Sequence, residues 1–196
     1  MPIRRALRPF FFKPAPELTV SEDILLQSLK PSDSAALYLL VEENREHLEA
    51  WLTWITQIQS LEDTQRFIRQ VSYRDIFRGR WVYAVRFQDK IVGLIDFNEG
   101  DRELNQVSIG YWLGEQAQGK GIITRSVTTC LDYCFKEQQL HKVLIKCASH
   151  NEKSIAVPMR LNFQWEAIER EAGEVNGQIV DLMVYGMTYR DWRYAE

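Results

Sequence analysis

The spacing of apolar residues divides the chain into a helical first part and a second part that begins with strands. After one short strand at 24–29, apolar positions recur every three or four residues, which is typical of amphipathic helices. The predicted helices of this part are 33–46, 47–61 and 60–74. From residue 81 onward, runs rich in Val, Ile, Trp, Tyr and Phe predict three consecutive antiparallel strands at 81–87, 91–97 and 107–113.

The rest of the chain alternates between the apolar spacing of helices and the apolar runs of strands. The predicted elements are a helix at 121–138, a strand at 143–147, a shorter helix at 151–161, and strands at 163–169 and 179–189. The helix at 121–138 follows a strand through a glycine-rich turn and leads into a parallel strand. About seven strands and several helices, without an internal repeat or linker, predict a single α+β domain over residues 20–196.

Composition separates the first residues from this domain. Residues 1–19 form a basic arm with four of the six prolines, which keep it extended rather than helical. The first 20 residues carry four basic groups and one acidic group, whereas the remaining 176 carry 20 basic and 26 acidic groups. An acidic body suits a cationic or amine-bearing partner, so we expect no direct nucleic-acid binding. The arm could still contact RNA or a neighbouring subunit, but we favour a disordered arm.

Cysteine and histidine spacing indicates neither a metal site nor a disulfide framework. The three cysteines are an odd number without a CxxC pair, and the three histidines lack metal-ligand spacing. We therefore expect no metal, and a reducing, cytoplasmic location. Because no apolar run approaches the roughly 18 residues of a membrane span, we expect no membrane partner.

Residues 116–121 (QAQGKG) lie between a predicted strand and the start of a predicted helix. Unpaired backbone N–H groups and the positive end of the helix dipole favour an anion at such a position, and two glycines admit a bulky phosphate. Gly114, Gly119 and Lys120 match the opening of the nucleotide P-loop, but position 121 is Gly where that loop needs a hydroxyl for magnesium. ATP or GTP hydrolysis is therefore disfavoured, while an ordinary helix-entry loop stays an equal alternative.

Several short motifs in one order carry a family resemblance. They are 110–113 (GYWL), 118–122 (QGKGI), 151–154 (NEKS), 156–157 (AV) and 176–177 (NG) followed by Asp181, with 47–48 (HL) and 51–54 (WLTW) nearer the start. Over residues 20–192 the chain resembles the GNAT family of acetyl-CoA-dependent N-acetyltransferases, and within it the RimJ/RimL branch with its YdaF-like ribosomal-protein N-acetyltransferases. The resemblance implies a GNAT fold: a mixed, mostly antiparallel sheet, splayed at its centre and flanked by helices.

The resemblance also assigns a binding site for acetyl-CoA (coenzyme A). In this family the splayed strand before the loop pairs with the pantetheine arm, and the loop amides bind the pyrophosphate. Here Leu113 marks the strand end, and the implied cofactor-binding loop residues are Gln118, Gly119, Lys120, Gly121, Ile122 and Ile123, with Thr124 nearby. Asn151 would bond the cofactor arm, act as a helix N-cap, or do both.

The chain departs from the common GNAT pattern near the expected leaving group. Many members place Ala three residues after this Asn and, seven after it, a Tyr that is thought to protonate the thiolate; here these positions hold Ser154 and Pro158. The Rim-type pattern implies that Ser154 is catalytic and contacts the sulfur; the alternative is an ordinary first-turn serine. Because Pro158 has no N–H for the carbonyl of residue 154, we expect unusual geometry at Ser154.

The implied chemistry is direct attack of a neutral amine on the thioester, since no Ser or Cys has a nucleophile motif. An α-amine has a pKa of about 8 and a lysine about 10.4, so deprotonating the lysine at pH 7 costs roughly 3 kcal/mol more. This favours the N-terminal α-amine of a protein, ribosomal by resemblance. The alternatives are a polyamine or other small amine, and a non-catalytic acyl-CoA-binding sensor. The resemblance also makes a homodimer plausible.

A carboxylate acting through water would supply the base that such an amine needs. We select Glu174 as the catalytic base and keep Glu171 as an alternative, although each could be a solvated loop charge. Asp181 either anchors the acceptor or braces the turn after residues 176–177.

Overall fold

An open sheet of eight strands forms the centre of the computed structural model, which describes residues 16–71 and 81–195. The strands are β1 (Leu18–Ser21), β2 (Ile24–Ser28), β3 (Trp81–Phe87), β4 (Lys90–Asp101), β5 (Gln106–Leu113), β6 (Lys142–Ala148), β7 (Gln164–Val175) and β8 (Gln178–Thr188). The helices are α1 (Ser34–Glu43), α2 (Arg45–Glu49), α3 (Leu61–Val71), α4 (Ile122–Asp132), α5 (Glu152–Arg160) and α6 (Tyr189–Ala195).

The strand order is β1-β2-β3-β4-β5-β6-β8-β7, and neighbouring strands are antiparallel except for the parallel pair β5 and β6. This confirms the predicted α+β fold with a mixed, mostly antiparallel sheet, although the sheet has eight strands instead of about seven. The additional strand is β1, which pairs with β2 and begins inside the segment assigned to the basic arm. Residues 1–15 of that arm lie outside the described residues.

The predicted helix 47–61 is wrong, because the chain forms the short α2 followed by a 3₁₀ turn at Thr53–Gln57. The guanidinium of Arg45 donates to the backbone carbonyls of Ile55 and Ile58 at 3.4 and 2.6 Å. A side chain thus satisfies carbonyls that a continuous helix would have paired internally. Leu48, Ile55 and Ile58 are nevertheless buried, so the apolar spacing identified core positions but not the backbone shape.

Other boundaries differ from the predictions by fewer residues. The helix predicted at 60–74 is α3, which ends at Val71, and residues 72–74 lie outside the described residues. The helix predicted at 121–138 is α4 followed by a π turn at Tyr133–Glu137. β7 extends well past the predicted strand 163–169, because bulges shift its register and interrupt the alternation of apolar side chains. α6 has no counterpart among the predicted elements.

Two apolar cores cover opposite faces of the sheet. On one face, here named the α4 face, α4, α5 and α6 pack on the strands through side chains such as Val127, Val157 and Trp192. On the other, the α1 face, α1 and α3 pack through Leu37 and Ile68. The centre of the sheet lies between these two cores, so a gap in the sheet there connects its two faces.

That centre is splayed, as the family resemblance predicts. β5 and β6 pair only over residues 106–108 and 142–144, although both strands continue for several residues beyond. Past this short parallel ladder they separate and leave a central gap between residues 109–113 and 145–148. The loop after β5 and the N-terminus of α5 both lie at this end of the sheet.

Candidate active site

The loop between β5 and α4 presents a row of backbone N–H groups at a helix start. Gly119 and Gly121 have φ angles of +74° and +69°, in the left-handed region that favours glycine. A Cβ atom at either position would meet no heavy atom within 4 Å, so the loop surface is open. Within the described part of the chain, the N–H groups of residues 119–124 have no acceptor, and helix bonding starts with Arg125 N–H on Gly121 O at 3.1 Å.

These N–H groups fit the diphosphate of a nucleotide-like cofactor. They stand at the N-terminus of an 11-residue helix, where the dipole adds partial positive charge. The side chains of Ile122 and Ile123 are buried in the α4-face core, so these residues offer their backbone to a ligand. Thr124 is half-buried in the first turn, and Lys120 is exposed beside it.

The side chain of Gln118 ties this loop to two helices. Its Nε2 lies 2.8 Å from His47 Nε2 on α2 and 3.5 Å from Leu113 O, and its Oε1 accepts from Lys153 Nζ of α5 at 3.0 Å. The amide nitrogen of Gln118 can only donate, so His47 Nε2 is the acceptor of this hydrogen bond. The Gln118 N–H donates to Glu115 O at 3.1 Å. The Gln118 N–H is therefore already bonded within the loop, whereas the side chain of Gln118 links the loop to α2 and α5.

A second contact fixes the loop from the α1 face. Asn44 is buried at the junction of α1 and α2, and its Oδ1 accepts the N–H of Glu115 at 2.8 Å. Its Nδ2 donates to Leu40 O at 2.8 Å, so the amide is held in one orientation. The α1–α2 corner therefore sets the position of the chain just before the glycines.

Ser154 lies in the first turn of α5, three residues after the N-cap residue Asn151. Asn151 Oδ1 accepts the N–H of Ser154 at 3.1 Å, which is the bond expected of an N-cap. Among the described residues Asn151 Nδ2 has no hydrogen-bond partner, so this side chain can cap the helix and still donate to a ligand. The hydroxyl Oγ of Ser154 lies 3.2 Å from Cys147 Sγ on β6.

The carbonyl of Ser154 has an unusual partner, which confirms the expectation drawn from Pro158. Pro158 lies within α5 and cannot provide the usual N–H. The hydroxyl of Tyr111 on β5 donates to Ser154 O at 2.8 Å instead. Ser154 is thus held by side chains from both strands that border the central gap, Tyr111 from β5 and Cys147 from β6.

Burial keeps the two ionisable side chains that contact Ser154, the thiol of Cys147 and the phenol of Tyr111, in their neutral forms. It raises the pKa of the Cys147 thiol, and it raises the pKa of Tyr111 well above its usual value. The thiol and the phenol therefore keep their protons at neutral pH. A thiol with a raised pKa is not the thiolate that covalent catalysis requires, which supports direct transfer to the acceptor.

Removing the Tyr111 hydroxyl tests this arrangement. Tyr111→Phe is expected to lower the free energy of unfolding by about 1–3 kcal/mol, because the Ser154 carbonyl loses its partner. Tyr185→Phe is the matched control, since Tyr185 is buried on β8 and its hydroxyl makes no hydrogen bond within the described part of the chain. Urea denaturation of both variants measures the difference, and equal losses would contradict a specific role for the Tyr111 hydroxyl.

The structure does not bring the predicted base Glu174 next to Ser154. Glu174 is exposed near the tip of the β7–β8 hairpin, where it pairs with Ile179. Cys147, the neighbour of Ser154, pairs with Met183. Four residues of extended strand, roughly 13 Å, separate Met183 from Ile179 along β8.

Asp181 braces the bulge of β7, and neither of its bonds goes to the turn after residues 176–177, which the sequence left as one alternative. Its Oδ1 accepts the N–H of Glu171 at 2.9 Å, where β7 bulges, and its carbonyl accepts the N–H of Ser149 at 2.9 Å. Glu171 has a φ of +54°, so this bond stabilises a strained backbone position. Both residues therefore have structural contacts in the hairpin.

Five site contacts were missed by sequence reasoning, made by Tyr111, Cys147, His47, Lys153 and Asn44. Tyr111, His47 and Lys153 belong to motifs of the resemblance, but the motifs assigned them no partner. The strand positions of Tyr111 and Cys147 beyond the splay were a usable signal, because facing strand ends place their side chains beside the same gap. The side-chain bonds of Gln118 depend on tertiary contacts and left no signal in the sequence.

Within residues 16–71 and 81–195, no group of three or more His, Cys, Asp or Glu side chains is arranged to hold a metal ion. No helix in the same ranges is long and apolar enough to cross a bilayer.

Comparisons with known proteins agree with this geometry. The acetyltransferase (GNAT) domain family matches residues 23–164. The chain is 32% identical to YdaF of Bacillus subtilis (strain 168) over 174 residues, which cover 88% of this chain and 95% of that protein. It is 28% identical over 172 residues to the ribosomal-protein-serine acetyltransferase of Escherichia coli (strain K12), covering 86% of this chain and 94% of that protein.

A solved structure shows the same fold with a ligand. RimL, a ribosomal L7/L12 alpha-N-protein acetyltransferase in complex with coenzyme A, aligns with a TM-score of 0.84 and 26% identity. The alignment covers 90% of this chain and 99% of that one. The likeness therefore spans the sheet, the glycine loop and α5 together.

Proposed function

Because this chain belongs to the GNAT acetyltransferase family and is an acetyl-CoA-dependent N-acetyltransferase of the ribosomal-protein type, we propose that it acetylates the N-terminal α-amine of a protein in the cytoplasm. The observation that carries the proposal is the similarity, over nearly the full length of the chain, to two enzymes whose names state such acceptors. One is named for a serine of a ribosomal protein, and the other for the alpha-amine of ribosomal protein L7/L12. The pKa of an α-amine supports it, since this amine loses its proton more readily than a lysine does.

The residues of the loop fit acetyl-CoA. We assign the diphosphate to the free N–H groups of residues 119–124, where the glycines leave the backbone uncovered. Asn151 Nδ2 is free to donate to the cofactor arm from the start of α5. Leu113 ends the strand that runs beside the gap, and its backbone would border the same arm.

Ser154 is placed to act on the leaving group. When bound, acetyl-CoA supplies a thioester whose carbonyl carbon accepts a neutral amine while the carbon–sulfur bond breaks. We assign to Ser154 Oγ a hydrogen bond to that sulfur, which strengthens as negative charge develops. Asn151 and Tyr111 fix the backbone of Ser154 on both sides, so its hydroxyl can turn from Cys147 Sγ towards the ligand without moving the backbone.

An acceptor comparison tests the proposed function. The protein is incubated with acetyl-CoA and with peptides that begin with Ser or Ala, with spermidine, or with no acceptor, and the free thiol is measured. We expect thiol release that depends on the peptide. Release with spermidine alone would indicate a small-molecule acetyltransferase, and cofactor binding without release would indicate a sensor.

A further inference from the structure

We propose that Lys153, in the first turn of α5, binds a phosphate group of acetyl-CoA from across the central gap. The proposal concerns the cofactor alone and holds for any amine acceptor, so it goes beyond the function proposed above. Lys153 belongs to the motif 151–154, but the family resemblance gives it no role. Coenzyme A carries a diphosphate and a phosphate on the 3′ oxygen of its ribose, and either group offers the same anionic oxygens to a lysine.

The side chain of Lys153 reaches over the gap to the loop that follows β5. β5 leads into this loop and β6 leads into α5, so the two segments border opposite sides of the gap. Lys153 Nζ donates to Gln118 Oε1 at 3.0 Å. Gln118 directly precedes Gly119, where the row of N–H groups without an acceptor in the described part of the chain begins. The ammonium group is therefore only one glutamine side chain away from the proposed phosphate site.

The positive charge of Lys153 has no carboxylate partner within residues 16–71 and 81–195. Its one hydrogen bond there goes to Gln118 Oε1, a neutral amide oxygen, and its exposed chain neighbour Glu152 makes no ion pair with it. The first turn of a helix is also an unfavourable place for a cation, because the positive end of the helix dipole lies there. An anion bound between the loop and α5 compensates both the lysine and the dipole.

Two other basic side chains near the loop point away from the gap. Lys120 Nζ lies 5.6 Å from the centre of the Phe87 ring on β3, and Arg125 Nη1 lies 3.4 Å from Asp23 Oδ1 between β1 and β2. In the sheet, β1, β2 and β3 lie on the opposite side of β5 from β6. Asp23 moreover compensates the charge of Arg125. Lys153 therefore brings a cation to the side of the loop that borders the gap.

Lys153 can exchange the amide oxygen of Gln118 for a phosphate oxygen by rotation of its own side chain. The side chain is exposed, and lysine has a flexible four-carbon stem with three donors. A hydrogen bond from an ammonium group to an anionic oxygen is stronger than one to a neutral oxygen, so the exchange is favourable. Gln118 Nε2 keeps its contact with His47 Nε2 at 2.8 Å, so the loop stays tied to α2 when Lys153 moves.

Calorimetric titration of Lys153→Met with coenzyme A tests the proposal. The substitution keeps an unbranched side chain of high helix propensity and removes the charge. We expect the Kd for coenzyme A to rise by about tenfold at low ionic strength, and Lys153→Arg to stay within about threefold of the wild type. The difference between Lys153→Met and the wild type should shrink at about 1 M salt, where the screening length falls from about 10 to about 3 Å.

Lys30→Met is the matched control for the loss of a lysine charge. Lys30 is exposed and follows β2, which is three strands away from β5. Three strand spacings are roughly 14 Å, which exceeds the screening length of about 10 Å at 0.1 M salt. Lys30→Met should therefore leave the Kd for coenzyme A at its wild-type value.

Titration with 3′-dephospho-coenzyme A identifies the phosphate that Lys153 binds. An equal loss of affinity for this ligand in Lys153→Met assigns the lysine to the diphosphate, and a loss seen only with coenzyme A assigns it to the 3′-phosphate. An unchanged Kd for coenzyme A in Lys153→Met overturns the proposal. A loss that high salt does not reduce, or that Lys153→Arg shares, also overturns it, because Lys153 then only anchors the loop through Gln118. No acceptor takes part in these titrations, so failure of the proposed function in the acceptor comparison leaves their outcome unchanged.

Discussion

Replacing Ser154 by Ala is expected to lower kcat for peptide acetylation by about 10²-fold, a size typical of removing one hydrogen-bond donor from developing negative charge. The Kd for acetyl-CoA should change little, because the backbone of Ser154 keeps its bonds to Asn151 and Tyr111. The variant therefore distinguishes an effect on the chemical step at the sulfur, seen in kcat, from an effect on cofactor binding, seen in Kd. Single-turnover kinetics and calorimetry with acetyl-CoA measure the two quantities independently.

Ser126→Ala is the control for this experiment. Ser126 is a fully buried serine of α4, and its Oγ has no hydrogen-bond partner within the described part of the chain. The same chemical change there should leave both kcat and Kd at their wild-type values. If Ser154→Ala behaves like Ser126→Ala, Ser154 is an ordinary first-turn serine and its contact with Cys147 is only packing. A large rise in Kd with unchanged kcat would instead make Ser154 a binding residue.

The sequence predicted the layout of the fold because apolar spacing reports which side of each element is buried. That signal placed the three strands between 81 and 113 and the helix that follows the glycines. It failed at residues 47–61, where Arg45 pairs with carbonyls ten and thirteen residues away. A long-range side-chain bond of this kind leaves no periodicity. The splay of the sheet came from the family resemblance, since nothing in the spacing of β5 or β6 shows that they separate.

The candidate site was predictable where one residue type determines the backbone. Glycines before a helix indicated the open N–H groups, and Pro158 indicated an unpaired carbonyl at Ser154. The partner of that carbonyl, Tyr111, was not predictable, because it comes from a strand 43 residues earlier in the chain.

Replacing Gly121 by Ala is expected to weaken acetyl-CoA binding by about tenfold. Ala at a φ of +69° has a strain of about 1–2 kcal/mol, although a Cβ atom there meets no neighbouring atom within 4 Å. In the free protein the loop can relieve this strain by leaving the left-handed conformation. Binding the diphosphate requires the original shape, so the strain reappears as lost affinity. Calorimetric titration with acetyl-CoA measures the change in Kd.

Gly177→Ala provides a control with the same backbone cost. Gly177 has a φ of +72° in the β7–β8 turn, and a Cβ atom there also meets nothing within 4 Å. Gly177→Ala should lower the stability measured by thermal denaturation at least as much as Gly121→Ala does, but Gly121→Ala alone should lose affinity for acetyl-CoA. Equal affinities would mean that the loop does not hold the cofactor through its N–H groups. Equal losses of affinity would mean that general destabilisation, and not the shape of the loop, controls binding.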